Sequence, residues 1–163
     1  MKTIKVLTVC LGNICRSPAA QGILQFTAEQ YRGLALEVDS AGTAAYHISK
    51  SPDSRSIRAL AEKGIDISGQ RARQVREEDF DQYDWIVAMD AANLANLKAI
   101  QPAHSHANLV LFGRYQEGVS LGEVDDPYYG EDDGFKHMRE HLSVISEHFV
   151  AHLMSVDQES SCP

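Results

Sequence analysis

Apolar positions along the chain follow two alternating patterns. Short apolar runs occur at Ile4 to Val9, Trp85 to Met89 and Leu109 to Phe112, and Leu34 to Ala41, with Leu36 and Val38, reads as a further strand. Runs of this kind, bounded by turn residues, suit strands buried on both faces. Between them, apolar residues recur at helical spacing. Ala19, Ala20, Ile23, Leu24, Thr27 and Tyr31 share one face, which predicts a helix with Ser17 as N-cap, Pro18 at its first position and Gly33 as its stop. Pro52-Asp53 open a second helix with Ile57, Leu60 and Ala61 on one face and Gly64 at its end. Asp90 caps a third, carrying Leu94, Leu97 and Ile100 and closed by Pro102. The last starts near Asp133 and lines up Phe135, Met138, Leu142, Ile145, Phe149 and Leu153. Strand and helix alternate throughout. The pattern predicts a three-layer α/β fold, a doubly wound four-stranded parallel sheet with helices on both faces and right-handed crossovers.

The segments outside this pattern are read as loops. Thr43 to Ser51 carries an aromatic residue, Tyr46. Ile65 to Glu78 is polar, with Arg71, Arg73 and Arg76, and is expected to run over the surface as a solvated basic loop. Arg114 to Gly134 is long and irregular, and loops of that length are usually functional. One domain is expected over residues 1–154, with a polar, flexible tail at 155–163.

Charge and cysteine content narrow the class. The 163 residues carry a formal net charge of −8, which argues against a nucleic-acid partner. No apolar stretch is long enough to span a membrane. The first apolar run is broken by Gly12, Asn13 and Arg16, so a signal peptide is not expected. Three cysteines do not make a secreted disulfide framework. The expectation is a cytoplasmic protein with reduced thiols, a monomer or weak dimer, needing no cofactor.

The chemistry gathers after the first strand, at Val9-Cys10-Leu11-Gly12-Asn13-Ile14-Cys15-Arg16-Ser17-Pro18. Cys10 ends the strand, and Arg16 stands at the start of the helix. Gly12 and Asn13 tolerate the dihedrals of a tight loop between them. Ligands of parallel sheets bind beyond the carboxyl ends of the strands. Backbone N–H groups from Leu11 to Cys15, the helix N-terminus and the Arg16 guanidinium can converge there on a dianion such as phosphate. The same donors favour a thiolate, the form in which a cysteine attacks. Attack at phosphorus gives a cysteinyl-phosphate, and Ser17 can hydrogen-bond the sulfur as it leaves. A separate carboxyl group must protonate the leaving oxygen and then activate water. Asp126, stiffened by Pro127 and followed by Tyr128 and Tyr129, is the best candidate; Asp125 beside it remains an alternative on residues alone.

Val9 to Pro18 resembles the signature of the low-molecular-weight protein tyrosine phosphatases. Asp126-Pro127-Tyr128-Tyr129 resembles that family's acid loop, and Asp39 to Thr43 and Ala72-Arg73-Gln74 fit its pattern too. The likeness extends to about residue 153. It implies Cys10 as nucleophile, Arg16 as phosphate clamp and Asp126 as general acid and base. It implies a loop braced by Asn13 with Ser17 and Ser40, and an aryl slot shaped by Leu11, Tyr46, Tyr128 and Tyr129. Family members often carry histidine where Gln70 stands, joined to the Asn–Ser brace; Gln70 is expected in that supporting position. The implied substrates are phosphotyrosine-containing proteins and small aryl phosphates, with inorganic phosphate or other oxyanions as ligands of the loop.

Other readings are weighed against this one. An arsenate reductase of the same fold needs further cysteines, and only Cys162 lies outside the loop. A protein-arginine phosphatase tends to have threonine where Ile14 stands. A non-catalytic phosphate-binding module would not need Cys10, Arg16 and Asp126 together. Cys15 could close a reversible disulfide with Cys10, making the enzyme redox-sensitive, or could simply be a small residue that fits the loop. Cys10 and Cys15 lack a second pair of zinc ligands at matching spacing. His137 and His141 read as a solvated helix face. Glu131, Asp132 and Asp133 read as helix capping rather than a calcium loop.

Overall fold

Val6 and Leu7 are neighbours in sequence, and both are fully buried, on opposite faces of one strand. Strand side chains alternate between faces, so a continuous apolar run requires cover on both sides. The computed structural model, which describes residues 3–115, 124, 127 and 132–161 (side chains of 132 and 156–161 excepted), shows how that cover is built. Four strands, β1 (Thr3–Cys10), β2 (Ala35–Gly42), β3 (Trp85–Ala88) and β4 (Asn108–Leu111), form a sheet in the order β2-β1-β3-β4. All three pairings are parallel. β1 lies between β2 and β3, with Val6 opposite both Val38 and Trp85, and Cys10 opposite Gly42 at the carboxyl edge.

The helices are α1 (Arg16–Ala28), α2 (Ser54–Ala61), a short α3 (Asp79–Gln82), α4 (Ala91–Ile100) and the 30-residue α5 (Asp132–Ser161). Val6 and Val87 pack with Ile23 and Leu24 of α1, Leu60 of α2 and Phe135, Leu142 and Phe149 of α5. Leu7, Val9, Ile86 and Ala88 face the other way, onto Phe80 of α3 and Leu97 of α4. The sheet is thus the middle of three layers, as the alternating pattern predicts. Trp85, expected in the core, is only partly buried; it meets Phe149 edge-on at 5.5 Å and His152 at 5.8 Å.

Two elements differ from the sequence expectation. Helix α1 begins at Arg16 with Cys15 as its N-cap, so Ser17 lies inside the helix rather than capping it. Its hydroxyl is engaged by Cys10 and Asn13 instead. The 65–78 segment does not simply run over the surface. Ile65, Ile67, Ala72 and Val75 are buried, and Gln74 makes a parallel bridge to Gly42, the last residue of β2. Helix α5 itself continues through Ser161.

Candidate active site

The loop after β1 is fixed by hydrogen bonds to its carbonyl oxygens. Cys10 O accepts from Thr43 N at 2.9 Å, Leu11 O from Ala44 N at 3.0 Å and Ile14 O from Asp53 N at 2.7 Å. Cys15 O accepts from Ala19 N and from Ser56 Oγ, both at 3.3 Å. In a trans peptide the C=O and the next N–H point opposite ways, and no cis peptide is present among the described residues. Engaging these four carbonyls therefore turns the N–H groups of Leu11, Gly12, Cys15 and Arg16 away from the surrounding protein loops. A row of such groups at a helix N-terminus attracts an anion.

Asn13 holds the turn. Its φ is 59°, in the left-handed region that asparagine tolerates better than most residues. Its Nδ2 donates to Ser17 Oγ at 2.8 Å and to Ser40 Oγ at 2.9 Å, and its Oδ1 accepts from Arg73 N at 3.0 Å. One carboxamide thus links the loop, α1, β2 and the 65–78 segment. Gly42 permits a close approach of the loop backbone: a Cβ there would lie 2.7 Å from Leu11 O.

Cys10 is 3 % exposed, and its Sγ lies 3.0 Å from Ser17 Oγ. Thr8, fully buried one residue before Val9, donates from Oγ1 to Ser17 O at 2.8 Å and fixes that turn of α1 against β1. Cys15 is also buried, and among the described residues neither it nor Cys10 is in a disulfide. Arg16 is 3 % exposed; its Nη1 donates to Asp90 Oδ2 at 2.6 Å and to Val124 O at 3.1 Å. Asp90 also accepts from Asn93 N at 2.8 Å with its other oxygen, so one carboxylate caps α4 and orients the arginine.

The structure brings Cys10, Asn13, Ser17 and Ser40 into one hydrogen-bonded cluster, with Arg16 next to Ser17 in the chain and its guanidinium held by Asp90. Leu11 and Tyr46 are exposed beside it, and the His47 ring lies against Gly12, where a Cβ would approach its Cδ2 to 2.8 Å. Ile14 is buried in the core cluster. Gln70 stands apart from the brace: its Nε2 donates to Pro18 O at 3.2 Å, in the first turn of α1. Asp125, Asp126, Tyr128, Tyr129 and Cys162 lie outside the described residues. Val124, just before the acidic pair, is buried; its N donates to Met89 O at 2.7 Å and its carbonyl meets Arg16.

Two partners escape a reading of the sequence. Asp90 is identified there only as a cap, yet it pairs with Arg16 across 74 positions. Its place directly after β3, at the carboxyl edge of the sheet, is the one signal that points to the site. Arg73 is expected in a solvated loop; instead its guanidinium bonds the buried Asp79 at 2.9 and 3.1 Å and Asp39 at 3.3 Å. Partial burial works against the Arg73 charge, but the Asp79 hydrogen bonds and the two carboxylate charges outweigh it and raise its pKa. This ion cluster steadies the backbone that supplies the Arg73 amide to Asn13.

Among the described residues, no helix is long and apolar enough to cross a membrane. The profile of the family described as low molecular weight phosphotyrosine protein phosphatase matches residues 5–160. The chain is 41 % identical over 152 residues to a low molecular weight phosphotyrosine protein phosphatase of Schizosaccharomyces pombe, covering 91 % of this chain and 96 % of the relative. It is similar to the crystal structure of a protein tyrosine phosphatase from Entamoeba histolytica with Hepes in the active site, with a TM-score of 0.86, 31 % identity and 94 % and 99 % of the two chains covered. It also matches a Drosophila arginine phosphatase, with a TM-score of 0.86 at 29 % identity over 92 % and 98 %. With a parallel sheet of this order and a cysteine loop after its first strand, the chain belongs to the low molecular weight phosphotyrosine protein phosphatase family.

Proposed function

We propose that the chain hydrolyses phosphotyrosine in proteins and small aryl phosphates through a cysteinyl-phosphate intermediate. The observation that carries this reading is the Cys10 Sγ, 3.0 Å from Ser17 Oγ, at the root of a loop whose carbonyls are held outward. In the first step the Cys10 sulfur bonds to phosphorus and the phosphorus–oxygen bond to the aryl group breaks. The leaving phenolate oxygen takes a proton from Asp126. In the second step water, giving its proton to the Asp126 carboxylate, attacks phosphorus; inorganic phosphate forms and the sulfur departs, stabilised by the Ser17 hydroxyl. Arg16, positioned by Asp90, and the loop N–H groups bind the equatorial phosphoryl oxygens through both steps. Asp126 is supported in its role by its position two residues after Val124, whose carbonyl is held by Arg16. A free-thiol nucleophile suits a reducing compartment, the cytoplasm.

Turnover of para-nitrophenyl phosphate at mildly acidic pH, with and without EDTA, tests the reading. EDTA should leave the rate unchanged, and Cys10→Ser should abolish it; full activity in Cys10→Ser would sink the proposal. Asp126→Asn should slow turnover most for substrates with poor leaving groups. If Asp125→Asn has that effect instead, the acid is misassigned. The likeness to an arginine phosphatase sustains a second reading. The exposed Tyr46 ring favours a flat aryl group over a guanidinium, so phosphotyrosine should be hydrolysed far faster than phosphoarginine.

A further inference from the structure

A groove of about 430 Å³ runs from the phosphate loop to α4. One end is formed by Leu11 and Tyr46, which are 42 % and 72 % exposed; the other is formed by Ala99 and Ile100 at the end of α4, with Ile100 49 % exposed. Gln74 and Asn96 stand along it. Its size falls in the range of small-ligand clefts, roughly 300–1,000 Å³. None of the described residues that line it is charged, although the chain as a whole carries a net charge of −8.

We propose that this groove is a subsite for the peptide that carries the phosphotyrosine, and that it takes an uncharged, apolar side chain flanking that residue. The inference rests on the phosphatase reading above. Leu11 directly follows Cys10, so a peptide whose phosphoryl group reaches the Cys10 sulfur passes over Leu11 and the mouth of the groove. Leu11 belongs both to the loop and to the lining of the groove. Its occupant is defined by what lines it. The apolar faces of Leu11, Tyr46, Ala99 and Ile100 gain from burial against another apolar side chain. An acidic or basic side chain would be desolvated there with no opposite charge to meet it. The carboxamides of Gln74 and Asn96 can accept from and donate to a peptide backbone without charge. Gln74 is already steadied, its Nε2 donating to Thr43 O at 3.2 Å, which leaves its oxygen for a peptide N–H.

The test compares kcat/KM for phosphotyrosine peptides built on alanine, with a single Leu, Asp or Lys placed in turn at neighbouring positions on either side. Para-nitrophenyl phosphate, too small to reach α4, serves as control. The wild type should prefer Leu over Asp and Lys by about tenfold at one flanking position. Ile100→Asp, on an exposed helix end, should remove that preference and leave para-nitrophenyl phosphate turnover unchanged; Asn96→Asp should weaken it. A flat peptide panel, or a Leu preference that survives both substitutions, would overturn the subsite. A change of oligomeric state in Ile100→Asp without any effect on the panel would assign the face to a second copy and equally overturn it. If para-nitrophenyl phosphate itself is not hydrolysed, the phosphatase reading fails first.

Discussion

Asn13 makes three of the hydrogen bonds that hold the phosphate loop, to Ser17, Ser40 and the Arg73 amide, while sitting at a φ of 59°. Alanine would lose all three and would tolerate that φ less well. We expect Asn13→Ala to lower kcat/KM on para-nitrophenyl phosphate by about ten- to a hundredfold, equivalent to roughly 1–3 kcal/mol. Steady-state kinetics would contradict the bracing role if the variant stayed within about twofold of wild type. Asp90 acts one step away, by placing Arg16. Asp90→Asn keeps an N-cap for α4 but removes the charge that orients the guanidinium. It should weaken competitive inhibition by phosphate and raise KM without unfolding α4, a split that simple loss of helix capping would not give. The loop residues proposed for the chemistry stand out in the sequence because their types are unusual in combination: a cysteine, glycine, asparagine and arginine in one short span after a strand. Asp90 was not legible as an arginine partner because its pairing joins two strand ends that only the sheet order brings together.

At the level of elements, the loop is held by what surrounds it. Helix α2 is tied to it at its start. Asp53 N donates to Ile14 O at 2.7 Å, while the Asp53 carboxylate caps the helix through Arg55 N at 2.9 Å and pairs with the Arg55 side chain at 2.8 and 3.0 Å. The Arg55 hydrogen bond is the main cause holding the Asp53 carboxyl below its ordinary 3.8, against the opposing effect of partial burial. A carboxyl lowered on folding stabilises above its unfolded value and loses that contribution as the pH falls through the lowered one. Asp53→Ala should therefore cost about 1 kcal/mol near neutral pH. In chemical denaturation the gap to wild type should close as the pH falls below 3.8; a gap that widens in acid would contradict the pairing. Strands and long helices were readable from period alone. The start of α1 was not, because Ser17 carries a cap residue's side chain but spends it on the Cys10 sulfur and Asn13. The 65–78 segment was misread for a different reason. Ile65, Ile67, Ala72 and Val75 are buried without following either period, so their burial depends on the sheet end and on α1 being in place.

Across the molecule, two apolar layers clamp a sheet whose carboxyl edge carries the site. The larger layer centres on Phe149, which meets Trp85, Phe112 and Tyr115 edge-on at 5.0 to 5.5 Å. Phe149→Ala should cost about 3–5 kcal/mol and lower the thermal midpoint, with the loop geometry and kcat of the folded fraction preserved. A parallel sheet covered on both faces could be expected from alternating strands and helices, whereas the order of its strands comes from the structure. The acid loop is different: Asp126 lies outside the described residues, and its proposed role rests on its Pro127-Tyr128-Tyr129 context and on chemistry. The whole account depends on phosphorus passing through the Cys10 sulfur. Acid quenching during turnover of para-nitrophenyl phosphate, followed by peptide mass spectrometry of wild type and Asp126→Ala, measures this directly. The account predicts a phosphoryl group on the peptide holding Cys10, lost in Cys10→Ser. A phosphoryl group on another residue, or turnover of Cys10→Ser at the wild-type rate, would contradict it.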